Sequence, residues 1–113
     1  MDVTPSDVLR AHVERFNEAI RSGDFAPMVS GFAIDAVMGF EGVKVGPFVG
    51  RDAIARAYAD QPPSDEIRLL GAPAAEGDAV ESEYAWASEG SRAGRMILTS
   101  RDGAITRLIV TFE

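Results

Sequence analysis

Apolar residues recur at helical spacing from the start of the chain: Leu9, Val13, Phe16 and Ile20 fall on one side, with Arg10, Glu14, Glu18 and Arg21 on the other. The ends of this segment are marked by Thr4 as N-cap, Pro5 in the first turn, Asp7 in the capping-box position and Gly23 as the stop. A short second helix follows Asp24 as its cap, and Phe25, Met28 and Phe32 can pack beneath the first helix. The pattern then predicts two short strands at about 36–41 and 44–49, joined at Gly42-Val43, where glycine in the first central position suits a type II′ turn. Helical spacing returns in "RDAIARAYADQ", with Ile54, Ala57, Tyr58 and Gln61 on its inner face. Pro62-Pro63 ends that helix, because proline has no amide donor and clashes with the preceding turn. The strands "EIRLLGA" and "DAVESEYAWAS" come next, then the pair "RAGRMILTS" and "AITRLIVTFE" around Asp102-Gly103. Three helices, a hairpin between them and an antiparallel sheet make an α+β pattern. No repeat or linker breaks it, so residues 1–113 read as one domain.

The strands carry a further expectation. If Asp102-Gly103 is a two-residue turn, Ile97, Leu108, Val110 and Phe112 share one face, and Met96, Leu98, Ile105 and Ile109 share the other. A sheet covered on one side only should alternate apolar with polar residues, so something must cover the second face, and a second copy of the chain is the simplest candidate. In "VESEYAWA", Val80, Ser82, Tyr84 and Trp86 share a face opposite Glu81 and Glu83. Tyr84 and Trp86 either line a pocket for a flat or apolar molecule or fill the core.

Composition narrows the function classes. The formal net charge of −7 opposes binding to a phosphate backbone, and 46% hydrophobic content argues against disorder. No run is long and apolar enough for a membrane span, and the N-terminus lacks the basic start and apolar stretch of a signal peptide, so the chain is expected to be cytoplasmic. The absence of cysteine removes disulfides and thiolate chemistry, and with a single histidine no metal site is expected. The glycines of "GFEGVKVGPFVG" do not follow phosphate-loop spacing, and no cofactor is implied.

Few side chains remain as candidates for chemistry. Glu41 opposite Lys44 reads as an exposed cross-strand pair, with Met38, Phe40 and Val45 on the more apolar face; a bulge would instead turn Glu41 inward as an acid or base. Asp35, between helix and strand, is expected to bond nearby backbone amides. His12 lies on the shoulder of the apolar stripe, where a half-buried structural imidazole is the default and a base the alternative, with Arg15 placed to meet it. Arg95 and Arg107 fall on opposite faces of the last hairpin; with Met96 inward, Arg107 would point inward too, or snorkel to water from the strand end.

The stretches "RFNEAIRSGDFAPMVSGFAIDAV", "FVGRDAIARAY" and "RDGAITRLIVTF" resemble the nuclear transport factor 2-like superfamily, and within it the SnoaL-like and ketosteroid isomerase-like domains. The resemblance implies a cone in which a curved sheet wraps the helices around an apolar pocket, often in a homodimer formed through the outer sheet face. In ketosteroid isomerases an aspartate is the base, and a tyrosine with a protonated aspartate forms the oxyanion hole. Matched onto this chain, the tyrosine position falls on Phe16, the base on Phe40 and the protonated acid on Met96, so the isomerase chemistry does not carry over. The resemblance therefore implies a small-molecule-binding domain, with Phe16, Met38, Phe40, Tyr84, Trp86 and Met96 as the expected ligand contacts and no catalytic residue assigned. The alternative is a cofactor-independent isomerase, cyclase or hydrolase acting on an apolar metabolite, drawing its polar groups from Tyr84, His12, Glu41 and Arg107.

Overall fold

A computed structural model describes residues 3–113. Local chemistry sets the first helix as expected. In α1 (Pro5–Ser22) the Thr4 Oγ1 accepts the Asp7 amide at 3.1 Å, and the Asp7 carboxylate accepts the Thr4 amide at 3.3 Å, so two amide donors at the helix start are satisfied reciprocally. Gly23, at φ 81°, closes the helix in the left-handed region and donates its amide to the Ala19 carbonyl. The buried stripe is Val8, Leu9, His12, Val13, Phe16 and Ala19. The single turn α2 (Ala26–Val29) follows; Asp24 accepts the Ala26 amide at 3.0 Å, and Met28 is fully buried. In α3 (Arg51–Asp60) Ile54 is sealed in the core, and Tyr58 stacks on Phe25 with ring centroids 5.3 Å apart.

Six strands form one curved sheet: β1 (Phe32–Glu41), β2 (Phe48–Val49), β3 (Ile67–Glu76), β4 (Ala79–Trp86), β5 (Arg92–Arg101) and β6 (Ala104–Thr111). Their order is β2-β1-β6-β5-β4-β3. The sheet is mixed, because β1 lies parallel to β6 while every other neighbouring pair is antiparallel. The three helices pack against it, α1 across β3, β4 and β5 and α3 against β1 and β2.

The predicted tight hairpin is replaced by a wider connection. β2 is only two residues long, and its register, Val37 with Val49 and Met38 with Phe48, leaves residues 42–47 as a loop. Gly42, at φ 92°, serves another purpose: a Cβ there would collide with the Phe112 carbonyl oxygen, so it permits the ends of β1 and β6 to approach closely. Glu41 accordingly pairs with Thr111 of β6 and not with Lys44, and both charged side chains are exposed. Asp35 corrects a second expectation. β1 begins at Phe32, so Asp35 lies within the strand on exposed backbone and not in a turn.

The last hairpin corrects a third. Ser100 pairs with Ile105 but Thr99 pairs with Arg107, leaving Thr106 as an extra residue in β6. This bulge shifts side-chain alternation by one position. Met96, Leu98, Leu108 and Val110 therefore share the buried face with Ile105, whereas Ile97 and Ile109 pair on the outer one. Arg107 follows Ile109 outward and is exposed, even though Met96 points in. Arg95 also faces outward, where its guanidinium meets Glu81 at 2.6 Å and Glu113 at 3.1 Å.

Candidate functional site: an apolar cavity

The corrected register has a direct effect on the interior. Phe40, Val110, Met96 and Ser82 fall in one row across β1, β6, β5 and β4. Next to Met96, β4 presents Tyr84 and then Trp86, packed edge to face at 5.9 Å. From above, α1 brings His12 and Phe16, and the end of α3 brings Tyr58 and Gln61. Together with Leu108 and Val110 from β6, Phe112 just beyond it, Pro63 ahead of β3 and Ile67 at its start, these side chains line a cavity of about 190 Å³ that is open on one side. Among the described residues no Asp, Glu, Lys or Arg lines it.

Phe16, Phe40 and Met96, the three positions matched to the proton-handling groups of the isomerases, all line this one cavity. Tyr84 and Trp86 line it as well, but Met38 does not. Met38 is buried beside the Tyr58 hydroxyl, 3.6 Å from its sulfur, and faces a more open hollow that shares Phe40, Tyr58 and Gln61 with the cavity. Glu41, Asp35 and Arg107 do not reach the interior.

The polar groups present are few and mostly spoken for. Tyr84, fully buried, donates its hydroxyl to the Thr111 carbonyl at 2.9 Å, and burial, with the charge of Glu113, pushes its pKa up to about 12. It is thus a wall of the cavity and not a free donor. Tyr58 is a lining residue that the sequence pattern did not assign to the site, although its place on the inner face of α3 was visible. Its hydroxyl meets only the Met38 thioether, a weak acceptor, and burial raises its pKa.

His12 is the largest departure from expectation: it is not half-buried but 1% exposed. The edge-to-face contact with Phe32 of β1, 5.5 Å between ring centroids, supplies burial that the helix alone could not reveal. Nδ1 has no hydrogen-bond partner among the described residues. Burial, and secondarily the positive charge of Arg15, depress its pKa to about 4, so the ring is neutral at pH 7. Among the described residues no group of His, Asp or Glu side chains is arranged to hold a metal ion, and no helix is long and apolar enough to cross a membrane.

A mixed curved sheet closed by helices over an apolar cavity defines the nuclear transport factor 2-like class of folds. Within it, the chain belongs to the SnoaL-like domain family, which matches residues 13–108. Among solved structures, a candidate polyketide cyclase from Sinorhizobium meliloti is 26% identical, with a TM-score of 0.63 over 88% of this chain and 93% of that one. A candidate isomerase from Bacillus subtilis is 18% identical, with a TM-score of 0.69 over 98% and 90% of the two chains. A de novo designed protein with a curved β-sheet is 14% identical, with a TM-score of 0.65 over 95% and 86%. That one scaffold appears under such different descriptions shows how little the fold alone says about chemistry. No curated protein matches the chain.

Proposed function

We propose that this chain binds a small, uncharged, largely apolar molecule in the cavity beneath α1, without isomerase-type proton transfer. The observation that supports this most strongly is the convergence of Phe16, Phe40 and Met96 on one cavity that no charged side chain among the described residues enters. A guest is held there chiefly by removal of its apolar surface from water, at roughly 25 cal/mol per Å². Phe16, Phe40, Tyr84, Trp86 and Met96 are its proposed contacts, while Met38 supports Tyr58 from behind. An ionised guest would lose its hydration without gaining a counter-charge, a cost large enough to exclude it.

Trp86 is the only tryptophan, so its fluorescence reports on occupancy. Toluene is expected to change that emission saturably, and benzoate, of similar size but charged, to leave it unchanged. Equal affinity for the two compounds would overturn the reading.

A second reading is favoured by His12 and Tyr58 at the cavity wall and by the likeness to the candidate polyketide cyclase: a cofactor-independent enzyme acting on an apolar metabolite. It predicts turnover of a neutral substrate that His12→Phe abolishes. Tight binding without turnover supports the first reading.

We further propose a homodimer through the outer sheet face. Ile97 and Ile109 pair there half-exposed, flanked by the Arg95–Glu81 and Arg92–Glu113 ion pairs. Sedimentation equilibrium should show a dimer that Ile109→Glu converts to monomer; a monomeric parent protein would contradict this arrangement.

A further inference from the structure

We infer that the ligand of this cavity is a neutral hydroxylated molecule of about one aromatic ring, its hydroxyl hydrogen-bonded to the imidazole of His12. This inference rests on the binding reading above and sharpens it in size and in polarity.

The size follows from volume. A cavity of about 150 Å³ with aliphatic and aromatic walls can admit benzene. The cavity here, about 190 Å³ with walls from Phe16, Trp86 and Met96, has room for one substituted ring, and any larger guest would extend past its open side.

The polarity follows from His12. A side chain 99% buried with an orphaned ring nitrogen is an exception among buried polar groups, and leaving such a group unmet costs about 1–3 kcal/mol. The ring lines the cavity with Nδ1 itself covered, so a modest rotation of the imidazole would let a guest supply the missing partner. The two phenolic groups nearby do not do so: Tyr84 is committed to Thr111 and Tyr58 is turned to the Met38 sulfur. Since burial keeps the imidazole neutral, it offers one lone pair and one N–H, and it is the lone pair that suits a guest O–H. Tyr58 can then reorient its weakly held hydroxyl toward the same guest oxygen. A carboxylate guest would be refused for want of a cation, and a pure hydrocarbon would leave the imidazole unmet. A phenol-like guest satisfies both constraints.

The test uses the full chain and two isosteric probes, 4-methylphenol and p-xylene, which differ by a hydroxyl in place of a methyl. Calorimetric titration is expected to give at least tenfold tighter binding of 4-methylphenol, and His12→Phe should abolish or reverse that preference, because the guest hydroxyl is then buried without a partner. His12 is the only histidine, so selective 15N labelling of untagged protein gives one imidazole whose resonances 4-methylphenol must shift and p-xylene must shift less. This second measurement holds even where the His12 variant does not fold. If p-xylene binds as tightly as 4-methylphenol, or the imidazole resonances respond equally to both, the inference is overturned and the apolar-binding reading stands. If neither probe binds, both fall.

Discussion

Gly94→Ala is expected to destabilise the fold by about 2–6 kcal/mol, because one methyl disturbs two buried contacts at once. A Cβ at Gly94 would overlap the Thr111 carbonyl oxygen and press on its Oγ1, and both belong to the closing end of β6. That carbonyl accepts the buried Tyr84 hydroxyl at 2.9 Å, and Tyr84 is the cross-strand partner of Gly94. The added methyl therefore pushes the strand end away and strands a buried hydroxyl as well. Overpacking of this kind costs about 1–3 kcal/mol, and an unmet buried donor about 1–3 more. Tyr84→Phe alone should cost about 1 kcal/mol, and the double variant should be less destabilised than the sum of the two, because Gly94→Ala already breaks the hydrogen bond. Urea unfolding of the four proteins measures this cycle. A Gly94→Ala loss under about 1 kcal/mol would mean that the strand end can shift at little cost, and the Tyr84 wall of the cavity with it.

The second large effect is on the acid side of neutrality. His12 titrates near 6.5 when unfolded and near 4 when folded, so between these values the unfolded state binds the extra proton and stability falls as pH falls. The full difference corresponds to about 3 kcal/mol, developed from pH 6.5 downward and complete below about pH 4. Glu113 has the opposite shift: its pKa is lowered to about 2, chiefly by the Thr111 hydroxyl and then by Arg95 and Arg92. Stability tied to Glu113 is present above the ordinary glutamate range and is lost only as pH falls toward 2, so it does not contribute between pH 6.5 and 4.5. In that window His12→Phe should flatten the stability-versus-pH curve obtained from denaturant titrations. A parent protein as stable at pH 4.5 as at pH 7 would show that the imidazole is solvated, contrary to its 1% exposure.

How much of the fold and the cavity was legible in the sequence depended on the range of the forces involved. Caps and stops act within one turn, so α1 and the end of α3 at Pro62-Pro63 could be read directly. Strand alternation in β4 was equally local, and Tyr84 and Trp86 share a face as it predicted, whereas the choice between pocket wall and core filling needed the packed helices. Two failures came from single residues whose role is set by partners distant in sequence. Gly42 is required by the Phe112 carbonyl and not by a turn, and Thr106 slips β6 by one position, putting Leu108 and Val110 in place of Ile109 beside Met96 on the inner face and sending Arg107 outward. The burial of His12 was hidden for the same reason, since Phe32, twenty residues on, completes it. Phe16, Phe40 and Met96 were reached by counting from the motifs "RFNEAIRSGD", "FAIDA" and "RDG", a step that does not depend on alternation within the strands, and all three line the cavity.

Apolar occupancy of the cavity is tested most directly by a methyl NMR titration of protein carrying 13C-labelled methionine with toluene. Met96 lines the cavity, Met38 faces the neighbouring hollow, and Met28 is buried away from both. The Met96 methyl is expected to shift saturably, with the same affinity that Trp86 fluorescence reports, while Met28 stays in place. A Met96 signal unmoved by toluene, with the response confined to Met38 or Met28, would contradict binding in this cavity.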